Sequence, residues 1–462
     1  MIRLLPCLCL TVFLAAPVGA AETVKPNIVF ILADDLGWTD VGCQGSKYYE
    51  TPHIDRLAAQ GMRFTSHYHC QNCAPARAAL MTGQYAPRTG VYTVGSLERG
   101  EAGQRKMTVP ENLVNLPLDK ITVARALKDA GYATALFGKW HLGNGPAYHP
   151  AKRGFDDAIV SMGKHFDFNT NPQTPYPPGT YLADFLTEHA VKFIEKNRDR
   201  PFFLYVPHFG VHVPHEAKKD LIAKYQKKQP VGGHKDPVYA AMIDSVDQSV
   251  GRIVAKLDEL KLTDRTIVIF ASDNGGVGGY EREGIKARDH TDNAPLRGGK
   301  GMLYEGGVRV PFIVRWPGVV KPGTTCDTPT IHVDFFPTCL ELAGAKPPAQ
   351  QELDGVSLVP LFKDATAKLP REAIYVHFPG YLEGGGAGSW RTTPVGTIRA
   401  GDWKLLEFFE DGRLELYNLK DDLGEKTNLA AKMPEKANEL QAKLAAWRKQ
   451  LDAPMPKLKA GK

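Results

Sequence analysis

Residues 27–35 read NIVFILADD, an apolar run that ends at two adjacent aspartates. A strand with one wet face alternates apolar and polar residues. A continuous run of β-formers instead predicts a strand covered on both faces, as in a parallel sheet. A second run, Thr266 to Ala271, has the same character and leads into Asp273-Asn274-Gly275-Gly276. Ala133–Phe137, Phe202–Val206 and Pro311–Val314 are further candidate strands. Helices are expected between them. Thr51-Pro52 to Ala59 and Thr122 to Ala130 each start at a threonine suited to capping, with Gly61 and Gly131 beyond their ends. Leu182–Asn197 and Tyr239–Leu260 carry helical apolar spacing. This alternation predicts an α/β fold with a doubly wound, mostly parallel central sheet and helices on both faces.

The chain has 462 residues, 43% hydrophobic and 23% charged, enough for a large core. A net charge of +6 without any long basic run argues against nucleic acid as a partner. Residues 1–20 read as a secretory signal peptide: Arg3, an apolar stretch from Leu4 to Val18, then the small residues Gly19 and Ala20. Its core is too short to span a membrane, and no later stretch is long and apolar enough. Export to the periplasm or the extracellular space is the expectation, and the lack of any Asn-x-Ser/Thr acceptor favours a bacterial route. Beyond the leader lie Cys43, Cys70, Cys73, Cys326 and Cys339. Cys326 with Cys339 and Cys43 with Cys70 are possible pairs, and an odd count leaves one thiol over. Residues 21–370 are assigned to the α/β domain and 371–462 to a smaller subdomain. The latter reads as an antiparallel sheet over Gly396–Phe408 and Arg413–Asn418 with a terminal helix over Lys436–Leu451. Gly384 to Gly388 reads as a mobile loop.

Ligands of open α/β sheets bind beyond the carboxyl ends of the strands, so Asp34, Asp35, Asp273 and Asn274 are expected to converge. Four oxygen donors suit a hard cation, Ca²⁺ in preference to Mg²⁺, and do not suit zinc. Helix capping explains either pair alone; it does not explain both at the ends of apolar strands. Cys73 opens a short helical stretch whose N-terminus stabilises an anion, and Arg77 follows one turn later on the same face.

The run Cys73-Ala74-Pro75-Ala76-Arg77, with Thr82-Gly83 after it, resembles the modification signature of the formylglycine-dependent sulfatases, an alkaline-phosphatase-like family. Ala76 stands where that family often has serine. Pro26–Gly37, Gly138–Gly143 (GKWHLG), Phe202–Pro214, Ser272–Gly275 and Pro295–Arg315 resemble further family segments in the family's order. The resemblance implies that Cys73 becomes formylglycine through a partner formylglycine-generating enzyme and, once converted, joins Asp34, Asp35, Asp273 and Asn274 as a metal ligand. It implies that Lys139, His141 and Lys300 join the site, and that His212 is the active-site histidine, with His208 and His215 as rivals. It further implies a chemistry. The metal, Lys139, Lys300 and Arg77 neutralise a sulfate ester, and one hydroxyl of the hydrated aldehyde attacks sulfur. His212 or Lys300 protonates the leaving oxygen, and His141 takes the proton whose loss expels sulfate. The expected substrate is a sulfated carbohydrate, with aryl sulfates as surrogates. A phosphodiesterase or phosphonate monoester hydrolase and a non-catalytic glycan-binding protein are the rival readings. Arg297 and Arg309 are expected to be structural, Trp140 a wall residue, and His377 a candidate for the pocket mouth.

Overall fold

The strand Asn27–Ala33 lies inside a nine-stranded sheet. The structure, a computed structural model, describes residues 25–386 and 388–459, so the leader read at residues 1–20 lies outside it. Across the sheet the order is Thr330–Ile331, Met62–Tyr68, Arg309–Arg315, Thr266–Ser272, Asn27–Ala33, Phe202–Pro207, Ala133–Gly138 and Asp157–Val160, with Thr324–Cys326 also paired to Met62–Tyr68. Every pairing is parallel except the two made by Arg309–Arg315.

Burial on two faces follows from the pleat. Val29, Ile31 and Ala33 pack into a core with the helices Pro52–Ala59, Leu182–Lys196 and Pro237–Glu259. Ile28, Phe30 and Leu32 point into a second core with Cys73–Thr82, Val123–Asp129 and Phe335–Ala343. Thr122 caps its helix by accepting from the Arg125 amide at 3.2 Å. Thr51 does not cap; its hydroxyl accepts from the Gly42 amide at 2.8 Å and donates to Asp55. Among the described residues no helix is long and apolar enough to cross a membrane.

Ile374–Phe378, Val395–Ala400, Trp403–Phe408 and Leu414–Asn418 form a separate antiparallel sheet. The helix Pro434–Gln450 covers it with Ala437, Leu440, Leu444 and Trp447. The glycine-rich stretch joins Leu382–Glu383 to Trp390–Thr392, a short antiparallel hairpin. All five cysteines are free thiols among the described residues, so neither disulfide considered from sequence is formed. Cys326 donates to the Ala365 carbonyl at 3.3 Å, and the Cys70 sulfur meets His332 Nε2 at 3.3 Å.

Lys404 of the smaller sheet reaches the larger domain, with Nζ 2.9 Å from Glu305 Oε1 and 2.8 Å from Glu425 Oε1, all three side chains buried. Removing the ammonium leaves two buried carboxylates short of a counter-charge. Lys404→Met is therefore expected to lower unfolding free energy by about 3–5 kcal/mol in a denaturant titration. A loss under about 1 kcal/mol would show that this seam contributes little.

Candidate active site

The register of the sheet builds the site. Asn27–Ala33 pairs with Thr266–Ser272 residue for residue up to Ala33 opposite Ser272, so Asp34-Asp35 and Asp273-Asn274 leave the same edge side by side. Three hydrogen bonds tie them: Asp273 N to Ala33 O at 3.1 Å, Asp35 N to Asp273 Oδ1 at 3.1 Å, and Leu36 N to Ser272 Oγ at 3.0 Å. Asp35 has φ 63°, a left-handed conformation that aspartate tolerates better than most residues. On the other side, Lys139 N donates to Pro207 O at 2.8 Å. Gly138, at φ 135°, would place a Cβ 2.0 Å from that carbonyl oxygen, so only glycine lets Lys139 and His141 reach the edge here.

Cys73 is the first residue of the buried helix Cys73–Thr82, with Sγ 3.4 Å from Asp34 Oδ1 and 3.9 Å from Asp35 Oδ1. Arg77 places Nε and Nη2 at 3.0 and 2.7 Å from Asp273 Oδ2 and donates from Nη1 to the Lys139 carbonyl at 2.9 Å. Lys139 Nζ lies 2.5 Å from Asp34 Oδ2, and Lys300 Nζ 2.7 Å from Asp35 Oδ2. His212 directs Nε2 toward Asp35 Oδ2 at 3.7 Å while Nδ1 donates to the Val213 carbonyl at 2.7 Å. Asn274 donates to Asp35 Oδ1 at 2.8 Å. Above them is a cleft of about 200 Å³ that reaches Asn72 and Cys73 and is bordered by His141, His212 and Lys300.

The structure thus assembles Asp34, Asp35, Cys73, Arg77, Lys139, His141, His212, Asp273, Asn274 and Lys300 in one place. His208 and His215 are not on the cleft. His208 is buried with Nε2 2.9 Å from Ser249 Oγ, and His215 packs on His290 with ring centroids 4.1 Å apart. The reach proposed for His377 fails: it is buried in the smaller sheet, and Nε2 donates to the Pro454 carbonyl at 3.0 Å. Arg77 does not line the cleft either, because Asp273 holds its guanidinium below. The mouth is completed by Arg99, Leu382, Glu383 and Arg391, which sequence reasoning did not single out. The one signal for three of them was their place beside the glycine-rich turn.

The family model described as Sulfatase matches residues 26–345. The chain belongs to the sulfatase family. Within the alkaline phosphatase superfamily this makes it a sulfuric ester hydrolase. A model described as N-sulphoglucosamine sulphohydrolase, C-terminal, matches residues 299–452. A sulfatase of Formosa agariphila is 37% identical over 512 aligned positions, covering 93% of this chain and 90% of that one. An N-acetylgalactosamine-6-sulfatase of Rattus norvegicus is 36% identical, covering 77% and 68%. The solved structure of Ps i-CgsB in complex with k-i-k-neocarrahexaose superposes with a TM-score of 0.76 at 31% identity, covering 92% of both chains.

Electrostatics in the sulfatase site follow from burial set against pairing. Burial alone pushes Asp34 up, but Lys139, His212, Arg77 and Lys300 together hold it well below the ordinary carboxylate range. Asp273 moves the other way, raised by burial and by the Asp34 charge against the pull of Arg77. Burial holds the Cys73 thiol far above its usual range. Outside the cleft, Arg297 pairs with Glu283 at 2.9 Å and Arg309 with Glu305 at 3.2 Å, so both are structural. Trp140 is a buried wall residue donating to the Tyr148 carbonyl at 2.9 Å. Burial, then Lys139 and Arg77, push His141 down to about 3. Its ring is therefore expected to stay neutral from pH 5 to pH 9 in ¹⁵N-imidazole NMR spectra. A titration inside that window would contradict the electrostatics described here.

Proposed function

We propose that this sulfatase removes sulfate from a saccharide sulfate monoester, using formylglycine made from Cys73 and a divalent cation held by Asp34, Asp35, Asp273 and Asn274. The observation that carries the reading is the seat of Cys73. It lies at the start of a buried helix, 3.4 Å from Asp34 Oδ1, at a cleft bordered by Lys300, His141 and His212. The helix N-terminus favours the negative charge that a nucleophilic oxygen develops there.

The donor set fits the cation. Asn274 Oδ1 is buried with no hydrogen-bond partner among the described residues, an orphaned acceptor among three carboxylates. All four donors are oxygens, and three are anionic, which favours Ca²⁺ over Mg²⁺. Charge counting points to an anionic substrate. Asp34, Asp35 and Asp273 are offset by Arg77, Lys139 and Lys300, so a bound divalent cation leaves two positive charges for sulfate to meet.

When present, the cation and the hydrated aldehyde supply Lewis acidity, an oxygen nucleophile and a second ionisable hydroxyl. The chain's own residues do the rest. Lys139 and Lys300 flank the two aspartates and face sulfate oxygens with positive charge. His212 keeps Nδ1 committed to Val213, which leaves Nε2, on the cleft, to carry a proton to the departing sugar oxygen. His141 borders the cleft with Nδ1 buried and without a hydrogen-bond partner among the described residues; burial disfavours its charged form, so a proton taken up as sulfate leaves is passed on and not kept. A saccharide substrate is supported by the neocarrahexaose ligand of Ps i-CgsB and by the galactosamine sulfatase among the relatives.

The first test is the mass of the peptide carrying residue 73 from protein made in its native host. A species lighter than the thiol form and trapped by a hydrazine reagent is expected, with Cys73→Ala losing at least about a thousandfold in kcat. That protein should hydrolyse 4-nitrophenyl sulfate faster than a phosphate diester; the reverse order would move the enzyme to the diesterases. A second test needs no turnover. Millimolar Ca²⁺ is expected to raise Tm by roughly 3 °C or more over chelator-treated protein. Asn274→Leu should shrink that shift, and an unchanged shift would place the cation elsewhere.

A further inference from the structure

Arg391 is a cation at the cleft mouth that the sulfate site does not use. It stands on the hairpin strand Trp390–Thr392 and lines the same cavity as Cys73, Lys300 and His212. Its side chain lies along Gly301, the neighbour of Lys300: a Cβ on that glycine would come within 3.3 Å of Arg391 Cδ. The guanidinium sits over the Tyr280 ring, 4.9 Å from its centroid, and Tyr280 is itself fixed by donating to the Lys300 carbonyl at 2.7 Å. Arg391 Nε is buried with no hydrogen-bond partner among the described residues. No carboxylate there lies within ion-pairing distance of it. The other two cations at the cleft each face a carboxylate, and Glu383 Oε2 keeps no hydrogen-bond partner among the described residues. Arg99 faces Glu383 at 3.6 Å, and Lys300 holds Asp35.

An arginine placed over a tyrosine ring, with an unmet buried donor and an open cavity before it, is built to receive an oxyanion in a planar, two-pronged contact. Its position has a geometric consequence. Lys300 and Arg391 border one cavity of about 200 Å³, so groups bound by the two enter the same space. We propose that Arg391 binds a second anionic group of the substrate, a sulfate ester or a uronate carboxylate, carried on the same sugar as the scissile sulfate or on the adjoining one. The mouth is held ready for it. Arg105 donates to the carbonyls of Glu98, Arg99 and Gly100 on one arm, and Met107 N donates to Tyr381 OH at 3.0 Å to fix the hairpin's base. The inference rests on the saccharide-sulfate reading above and narrows it to substrates bearing two anions.

The test compares aldehyde-bearing wild type, Arg391→Ala and Arg391→Lys on galactosamine and galactose saccharides in three forms: monosulfated, disulfated, and monosulfated next to a uronate. 4-Nitrophenyl sulfate serves as the reference substrate. The wild type is expected to favour one doubly anionic form in kcat/KM over the monosulfated one. Arg391→Ala should reduce that ratio about ten- to hundredfold, mainly through KM, and Arg391→Lys should restore part of it. Whichever doubly anionic form carries the preference identifies the oxyanion. Equal treatment of single and double anions by wild type, or a ratio unmoved by Arg391→Ala, overturns the inference while leaving the saccharide reading intact. Turnover of 4-nitrophenyl sulfate with no saccharide hydrolysed removes that reading, and this inference with it.

Discussion

Three buried carboxylates share a space with three cations, Arg77 and Lys139 buried and Lys300 at the edge of the cleft. Asp34 is the centre of this lattice: Lys139 sits 2.5 Å away, Arg77 3.7 Å away, and the Cys73 sulfur 3.4 Å away. Taking one such ion out of water costs several kcal/mol, so each member is tolerable only while the others hold position. That condition reaches back into the fold. Asp34 and Asp273 stay adjacent because two apolar strands run in register to the same edge, and Lys139 arrives because Gly138 lets its chain press against Pro207. The cores on both faces of the sheet therefore fix the charges as much as they stabilise the domain.

Arg77 shows how function and folding divide within this lattice. Its guanidinium spends its donors on Asp273 and on the Lys139 carbonyl, so it binds three separate chain segments together below the cleft. Lys300 lies nearer the opening and is supplied by the loop that precedes Arg309–Arg315. The smaller sheet grips that same loop through Lys404 on Glu305, Tyr304 on Glu415 and Arg297 on Tyr417. The antiparallel sheet is thus part of the frame that holds Lys300, and the separate hairpin of Leu382–Glu383 and Trp390–Thr392 forms part of the cleft wall.

Much of this was legible in the sequence because two-sided burial writes itself as an uninterrupted apolar run. NIVFILA and TIVIFA marked two adjacent strands, and the acidic residues closing each one marked the edge where ligands gather. Such a run carries no direction, however, so the single antiparallel member, Arg309–Arg315, was not distinguishable from its parallel neighbours. Cysteine spacing likewise left the pairing open, and all five are free thiols among the described residues. His377 was misplaced because the strand Ile374–Phe378 was not read from sequence, where only nearness to the glycine-rich stretch suggested the pocket mouth; the strand buries its ring against the Pro454 carbonyl. Arg391 had only its place beside the glycine-rich turn to mark it, for a different reason. Its meaning comes from Tyr280 and Gly301, about a hundred residues away and joined to it only by the tertiary fold.

Cys73 is 1% exposed, and every residue of the helix it begins is buried. An enzyme that must grip this segment to oxidise the thiol has nothing to hold once that helix has docked against the sheet. The conversion proposed for Cys73 is then a race between the maturation enzyme and the docking step, decided while the chain is still open. Chains that dock first would be trapped as correctly folded, thiol-bearing protein that no later treatment rescues without unfolding. The active fraction in any preparation would record the outcome of that race and would not report the stability of the fold.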